Sequence, residues 1–212
     1  MTPSAGARPP HRVLLATANQ GKLAELRALL PNSVAVLGLA DVAAYRALPE
    51  TGADFESNAL IKARQAAAET GIVSLADDSG LEVAALNGMP GVLSARWSGA
   101  HGDDAANNRL LLAQIGDVPD ERRGAAFVSA VALVTPDGRE EVMRGRWPGR
   151  IIHEPRGVNG FGYDPLFVPA ESDVDGSSRT SAELSAAEKN ALSHRGRAMR
   201  AMLPTILRVL GI

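Results

Sequence analysis

The chain has 212 residues, of which 45% are hydrophobic and 22% charged, and a formal net charge of −2. That is enough to bury one sizeable core without staples, and it excludes a chain disordered throughout or built mainly of membrane spans. Near-neutral charge leaves no electrostatic footprint for nucleic acid or an anionic membrane, and the absence of cysteine excludes disulfides, a Cys-based zinc site and a thiol nucleophile. A cysteine-free chain suits a reducing cytoplasm, which is the expected location. Met1 to His11 is predicted to be a flexible tail without the apolar run of a signal peptide, and residues 12–212 are read as a single domain.

The first element is a strand over Val13–Ala16, followed by a polar turn and a helix in which Leu23, Leu26 and Leu30 recur until Pro31-Asn32. Asp54 caps a second, alanine-rich helix that runs to Glu69 and stops at Thr70-Gly71. A strand over Ile72–Ala76 then ends in Asp77-Asp78-Ser79-Gly80, and the alternating Leu81-Glu82-Val83 leads into a loop at Asn87–Gly91. Asp103 or Asp104 caps a third helix. Phe127–Val134 and Glu140–Arg146, joined through Pro136-Asp137-Gly138, form a hairpin, so the sheet is mixed. A glycine-rich turn at Gly157–Asp164 follows, and Ala170–Arg179 reads as a flexible polar loop. Ser185 and Glu188 make a capping box, and the last helix starts beside Ser193 with an apolar stripe of Met199, Met202, Leu203, Ile206 and Leu210 and a kink expected at Pro204. The alternation gives an α/β layered domain.

Several groups could carry chemistry. Gly21-Lys22 sits where a strand feeds a helix start, a place where backbone N–H groups favour an anion and a lysine is misplaced without one. It is either a phosphate turn, though not a Walker A loop, or a solvated lysine. Asp77 and Asp78 are adjacent carboxylates at the end of a buried strand. They repel unless a cation or donors relieve them, so they are either a metal- and water-activating pair or an Asp-rich turn. On the second helix Asn58, Lys62, Gln65 and Glu69 form one polar stripe, the usual sign of a wet face. Glu50 is a lone loop carboxylate. Phe161 and Tyr163, between glycines and beside Asp164, suit either a pocket for a flat ring or an aromatic turn on the core. His194 and Arg195 place cations at another helix start, with Lys189 just before them. A G-x-S-x-G elbow, an H-E-x-x-H pair and a dinucleotide fingerprint are all missing.

In order, TANQGK, ETG, SNALIKAR, ADDSGLEV, GMPGVLSARWSG, FGYDPLF and AEKNALSHRG span the chain from Arg12 to the last helix. Together they resemble the inosine/xanthosine triphosphate pyrophosphatase family. The resemblance implies a long mixed, twisted sheet flanked by helices, two lobes with a central substrate cleft, and a homodimer. It implies Mg2+-dependent hydrolysis of deaminated purine nucleoside triphosphates (ITP, dITP, XTP) to the monophosphate and pyrophosphate. Carried over by residue, Thr17, Ala18, Asn19, Gln20, Gly21 and Lys22 bind the triphosphate, Asp78 is catalytic base and metal ligand, and Glu50 assists the metal. Lys62 and Ser79 lie against the phosphates, while Phe161, Gly162, Tyr163, Asp164, Lys189, His194 and Arg195 hold the base and sugar. Ser57 stands where many relatives carry an acid, and the polar stretch Val174–Arg179 lengthens a loop near the base pocket. The partner is a purine nucleotide, with neither nucleic acid nor membrane involved. The alternative is a non-catalytic nucleotide-binding or sensing module, which has no need of carboxylates beside phosphates.

Overall fold

A computed structural model of the chain describes residues 11–212. The expected tail up to residue 10 lies outside the described residues, and His11 opens the first strand. In chain order the elements are β1 (His11–Leu15), α1 (Gln20–Leu29), β2 (Val34–Leu37), α2 (Phe55–Thr70), β3 (Val73–Val83), α3 (Asp104–Gln114), β4 (Gly124–Val134), β5 (Glu140–Ile151), β6 (Phe167–Pro169), α4 (Ala170–Val174), α5 (Ala186–Leu192) and α6 (His194–Leu210). They form an α/β fold around one six-stranded sheet of order β2-β1-β3-β4-β5-β6. β1 is parallel to both its neighbours, and the remaining pairs are antiparallel. No helix among the described residues is long and apolar enough to cross a membrane.

Strand alternation explains the two main layers. Leu75 on β3 and Val131 and Leu133 on β4 face α1 and α6, meeting Leu23, Leu26, Met199, Met202 and Ile206. The intervening Ala76, Ala130 and Ala132 face the other way, onto Ala59, Ala63 and Ala67 of α2. Because small side chains line both sides of that contact, helix and sheet can approach closely. β4 is buried on both faces, which explains its unbroken apolar run, GAAFVSAVALV. A third cluster at the far end gathers Leu81, Leu111, Phe127, Trp147, Tyr163 and Phe167.

The structure corrects two sequence expectations and adds one strand. Asp77-Asp78-Ser79-Gly80 is no strand end: β3 runs through it, paired residue by residue with Val131, Ala130, Ser129 and Val128 of β4. The pairing partner overrode the turn preference of these residues, as tertiary context does for weak β formers. Ala170–Arg179, expected as a loop, begins with α4, and the backbone N–H of Ser178 bonds back to the Ser172 carbonyl. β2 was not foreseen, because VAVL is only four residues long and offers little period. The capped starts at Asp54, Asp103, Ser185 and Ser193 are all present, each with its side chain accepting a backbone N–H of the first turn.

Candidate active-site cleft

The sheet opens where β1 stops short of the length of β3. β1 ends its pairing with β3 at Leu15–Leu75, so β3 continues alone on that edge until the Ser94 hydroxyl and Pro90 meet it at Leu81 and Glu82. Asp77 and Asp78 lie on this bare stretch, and a cleft of about 390 Å³ forms beside it. Gly80 is needed here, since a Cβ would sit 2.4 Å from Ser94 Oγ and 2.5 Å from the Gly91 carbonyl.

Being consecutive on a strand, the two aspartates point to opposite faces. Asp77 turns toward α1 and α6, where Lys22 Nζ donates to both its oxygens at 2.7 and 2.8 Å and Arg195 Nε donates at 3.3 Å. Both cations come from the first turns of their helices. Burial alone would raise the Asp77 carboxyl, but Lys22 and Arg195 outweigh it and hold the group below the usual carboxylate range. Lys22 is shifted down by its own burial, against the pull of Asp77 and with the push of Arg195. Asp77 is therefore the anion that a lysine at this helix start requires. The first-turn N–H groups of Gly21 and Lys22 are capped by Asn19 Oδ1 at 2.9 and 3.2 Å. Ser79, on the same face, donates to Ser129 Oγ across the β3–β4 pair at 2.8 Å.

Asp78 faces α2. Its Oδ2 accepts from Asn58 Nδ2 at 3.1 Å and its Oδ1 from Lys62 Nζ at 3.2 Å, while Lys62 also donates to Glu50 at 3.1 Å. Burial pushes the Asp78 carboxyl above the usual range, opposed by Lys62 and Asn58 and reinforced by Glu50. Burial pulls Lys62 down, yet Asp78 and Glu50 together leave it raised, so its ammonium stays charged between them. The polar stripe of α2 is thus no wet face, Glu69 excepted. Asn58 accepts from the Gly52 N–H at 2.8 Å, and Gln65 bonds the Leu48 N–H and the Arg46 carbonyl. These bonds staple the segment carrying Glu50 along the helix.

Glu50 and Asp78 already share one cation, the Lys62 ammonium, so their geometry accepts positive charge. Among the described residues no group of three or more His, Asp or Glu side chains is placed to hold a metal. A divalent ion would therefore rely on two carboxylates plus oxygens from water or substrate, which is how magnesium is held beside phosphates. The donor set fits.

The other end of the cleft is built from Phe161–Asp164, Lys189 and the start of α6. Asp164 is buried, bonded to Lys189, to Ser181 Oγ at 2.8 Å and to the Phe161 N–H at 2.8 Å. Phe161 is 62% exposed, with Lys189 Nζ 5.0 Å from its ring centroid. Tyr163 is buried instead, its hydroxyl donating to the Ser94 carbonyl at 2.9 Å, and burial pushes its phenol well up. His194 stacks on Phe127 with centroids 5.1 Å apart, and its Nδ1 has no partner among the described residues. Burial, with Arg195 and Lys189 nearby, drives its imidazole down to about 3, so the ring is neutral at pH 7.

A model of the Ham1 family matches residues 13–205 of the chain. The chain belongs to the Ham1 family. It is 63% identical to a dITP/XTP pyrophosphatase of Nocardia farcinica over 92% of this chain and 94% of that one. A crystal structure of a nucleoside-triphosphatase, dITP/XTP pyrophosphatase, from Mycobacterium abscessus shares 62% identity and a TM-score of 0.78, covering 91% of this chain and 99% of that one. The Ham1 protein of Staphylococcus aureus, at 36% identity, superposes with a TM-score of 0.84 over 92% of this chain and 97% of its own.

Of the residues singled out from sequence, the Ham1 cleft is lined by Asn19, Lys22, Lys62, Asp77, Asp78, Ser79, Phe161, Gly162, Tyr163, Asp164, Lys189, His194 and Arg195. Glu50 reaches the site through Lys62, whereas Thr17, Ala18, Gln20 and Gly21 lie in the turn before and into α1 without lining it. Thr17 braces that turn, its Oγ1 accepting from the Asn19 N–H at 3.1 Å. Sequence reasoning passed over Asn58 as a residue of Asp78, and missed Ser94, Asp104, Asn108 and Ser129. The one available signal was the place of Asn58 on the same helix stripe as Lys62, one turn away.

Proposed function

We propose that this chain is a nucleoside triphosphate pyrophosphohydrolase that uses Mg2+ to convert ITP, dITP and XTP to monophosphate and pyrophosphate. The observation that carries the reading is the division of charge across β3: cations gather on one face of the cleft and a carboxylate pair on the other, with the base-sized end beyond them. The names of the relatives and the ordered motifs support the same substrate class.

A triphosphate brings about four negative charges; the surplus of Lys22 and Arg195 over Asp77 offsets part of them, and a divalent cation would offset more. Glu50 and Asp78 would hold the magnesium ion, which when bound polarises phosphoryl oxygens as a Lewis acid. Asp78, its carboxylate oriented by Asn58, accepts a proton from a water whose oxygen bonds to phosphorus as the bridging P–O bond breaks and pyrophosphate leaves. The raised Asp78 carboxyl is a better proton acceptor than an ordinary one. Asp77, tied to two cations and held low, is unsuited to that task.

At the base end, Arg195 spends its Nε on Asp77, and no bond among the described residues engages its terminal nitrogens. These are donors suited to the 6-keto oxygen of hypoxanthine or xanthine, and they would face the 6-amino donor of adenine. A buried mismatch of that kind discriminates by about 10⁴. Phe161 offers its exposed ring for stacking. A homodimer and a cytoplasmic setting are carried by the resemblance and the cysteine-free sequence.

The test is a panel of ITP, dITP, XTP, GTP and ATP with magnesium, separating pyrophosphate from orthophosphate. Pyrophosphate release from the deaminated nucleotides, with ATP far slower, is the expected result. Equal rates for ATP, or orthophosphate alone, would remove the assignment.

A further inference from the structure

We propose that Asp104 and Asn108, one turn apart on α3, are positioning residues that set the base end of the cleft by gripping Gly162. The proposal rests on the nucleotide reading above and assigns these two residues to it. The Gly162 N–H donates to Asp104 Oδ2 at 2.6 Å, and Asn108 Nδ2 donates to the Gly162 carbonyl at 2.9 Å. Positions i and i+4 share a helix face, so one turn of α3 holds both polar backbone groups of a single residue. That residue has φ of +62°, a left-handed conformation favoured by glycine. Its dihedrals decide where Phe161 lies relative to Tyr163, which is anchored separately through Ser94. Phe161 is exposed and lines the cleft, held on one side by its N–H bond to Asp164 at 2.8 Å, and the grip on Gly162 fixes the chain on its other side.

The support behind the grip is rigid. Asp103 caps α3, and buried Asn107 accepts from the Ser98 N–H at 2.7 Å while Leu111 is fully buried in the core. Asp104 makes no salt bridge among the described residues; its carboxylate is given to a backbone N–H while it lines the cleft. An interaction that locates the base serves ground state and transition state alike, so its loss acts on KM and spares kcat.

The test compares Asp104→Ala, Asn108→Ala and Asp104→Asn, the last of which keeps an acceptor for the Gly162 N–H. Gly162→Ala probes the same geometry from the loop side, since its Cβ would meet nothing within 4 Å and only the backbone conformation is disfavoured. KM and kcat for ITP, inhibition by inorganic tripolyphosphate, which has no base, and amide exchange over residues 160–164 are measured. Each alanine variant on α3 should raise KM about tenfold with kcat within about twofold, leave tripolyphosphate inhibition unchanged and speed exchange in the loop. Asp104→Asn should stay near wild type, and Gly162→Ala should raise KM a few-fold. Unchanged KM, an equal loss for tripolyphosphate, or Asp104→Asn as weak as Asp104→Ala would overturn the proposal. Absent ITP turnover in the wild-type chain would overturn the functional reading and this role with it; turnover with unchanged KM in the variants overturns this role alone.

Discussion

The two faces of β3 at Asp77 and Asp78 differ in everything except residue type. On the α1/α6 face one carboxylate is outnumbered by Lys22 and Arg195, is 4% exposed, and stays ionised at any ordinary pH. On the α2 face one lysine is outnumbered by Asp78 and Glu50, and the Asp78 carboxyl is raised. The first arrangement has surplus positive charge to offer an anion, and the second has surplus negative charge to offer a cation or a proton. Side-chain identity did not separate these roles; the pleat did, by sending neighbours in sequence to opposite sides of the sheet.

The comparison breaks most visibly at the carboxylates. Asp78→Asn should lower kcat for pyrophosphate release by about 10³, while much of the nucleotide binding remains. An active Asp78→Asn beside a dead Asp77→Asn would exchange the two roles. Asp77→Asn leaves two cations without their shared anion, and chemical denaturation should register a loss of about 3 kcal/mol. Unchanged stability would mean that Lys22 and Arg195 do not depend on Asp77.

The next effect sharpens the cationic side. His194, beside Arg195, is held neutral, with its imidazole at about 3 against about 6.5 when unfolded. The unfolded chain then binds more protons between those values, so stability rises with pH through that window and falls on acidification. By pH 5 this one group should account for about 2 kcal/mol of the loss. The difference between wild type and His194→Phe, followed by denaturation at several pH values, checks it; parallel curves would rule it out. Asp77 has the same sign in a lower window, contributing above about 3.9 and losing its contribution as pH falls below that.

The smallest effect sharpens the acidic side. Lys62→Met removes the ammonium shared by Glu50 and Asp78 and leaves the carboxylates facing each other. Magnesium alone, without nucleotide, should then raise the melting temperature by about 2 °C more than in wild type. An identical magnesium response in both proteins would show that Lys62 does not compete for that position.

How far the sequence reaches follows from the range of each interaction. The starts of α2, α5 and α6 were legible because a cap is closed within three or four residues, as Ser185 and Glu188 close theirs. The β4–β5 hairpin was legible because its turn residues, Pro136-Asp137-Gly138, directly follow the apolar run of β4. The site's main residues were legible as a family pattern, and Lys22 and Arg195 also as cations misplaced at helix starts. Their relations to one another were not. That Asp77 belongs to Lys22 across 55 residues and to Arg195 across 118, that Asn58 orients Asp78, and that α3 grips Gly162 are contacts between distant segments. Only the pairing of β3 with β4, the face each side chain then takes and the close approach of α2 bring them within bonding distance, because hydrogen bonds act over about 3 Å and no local preference encodes which remote group will be there.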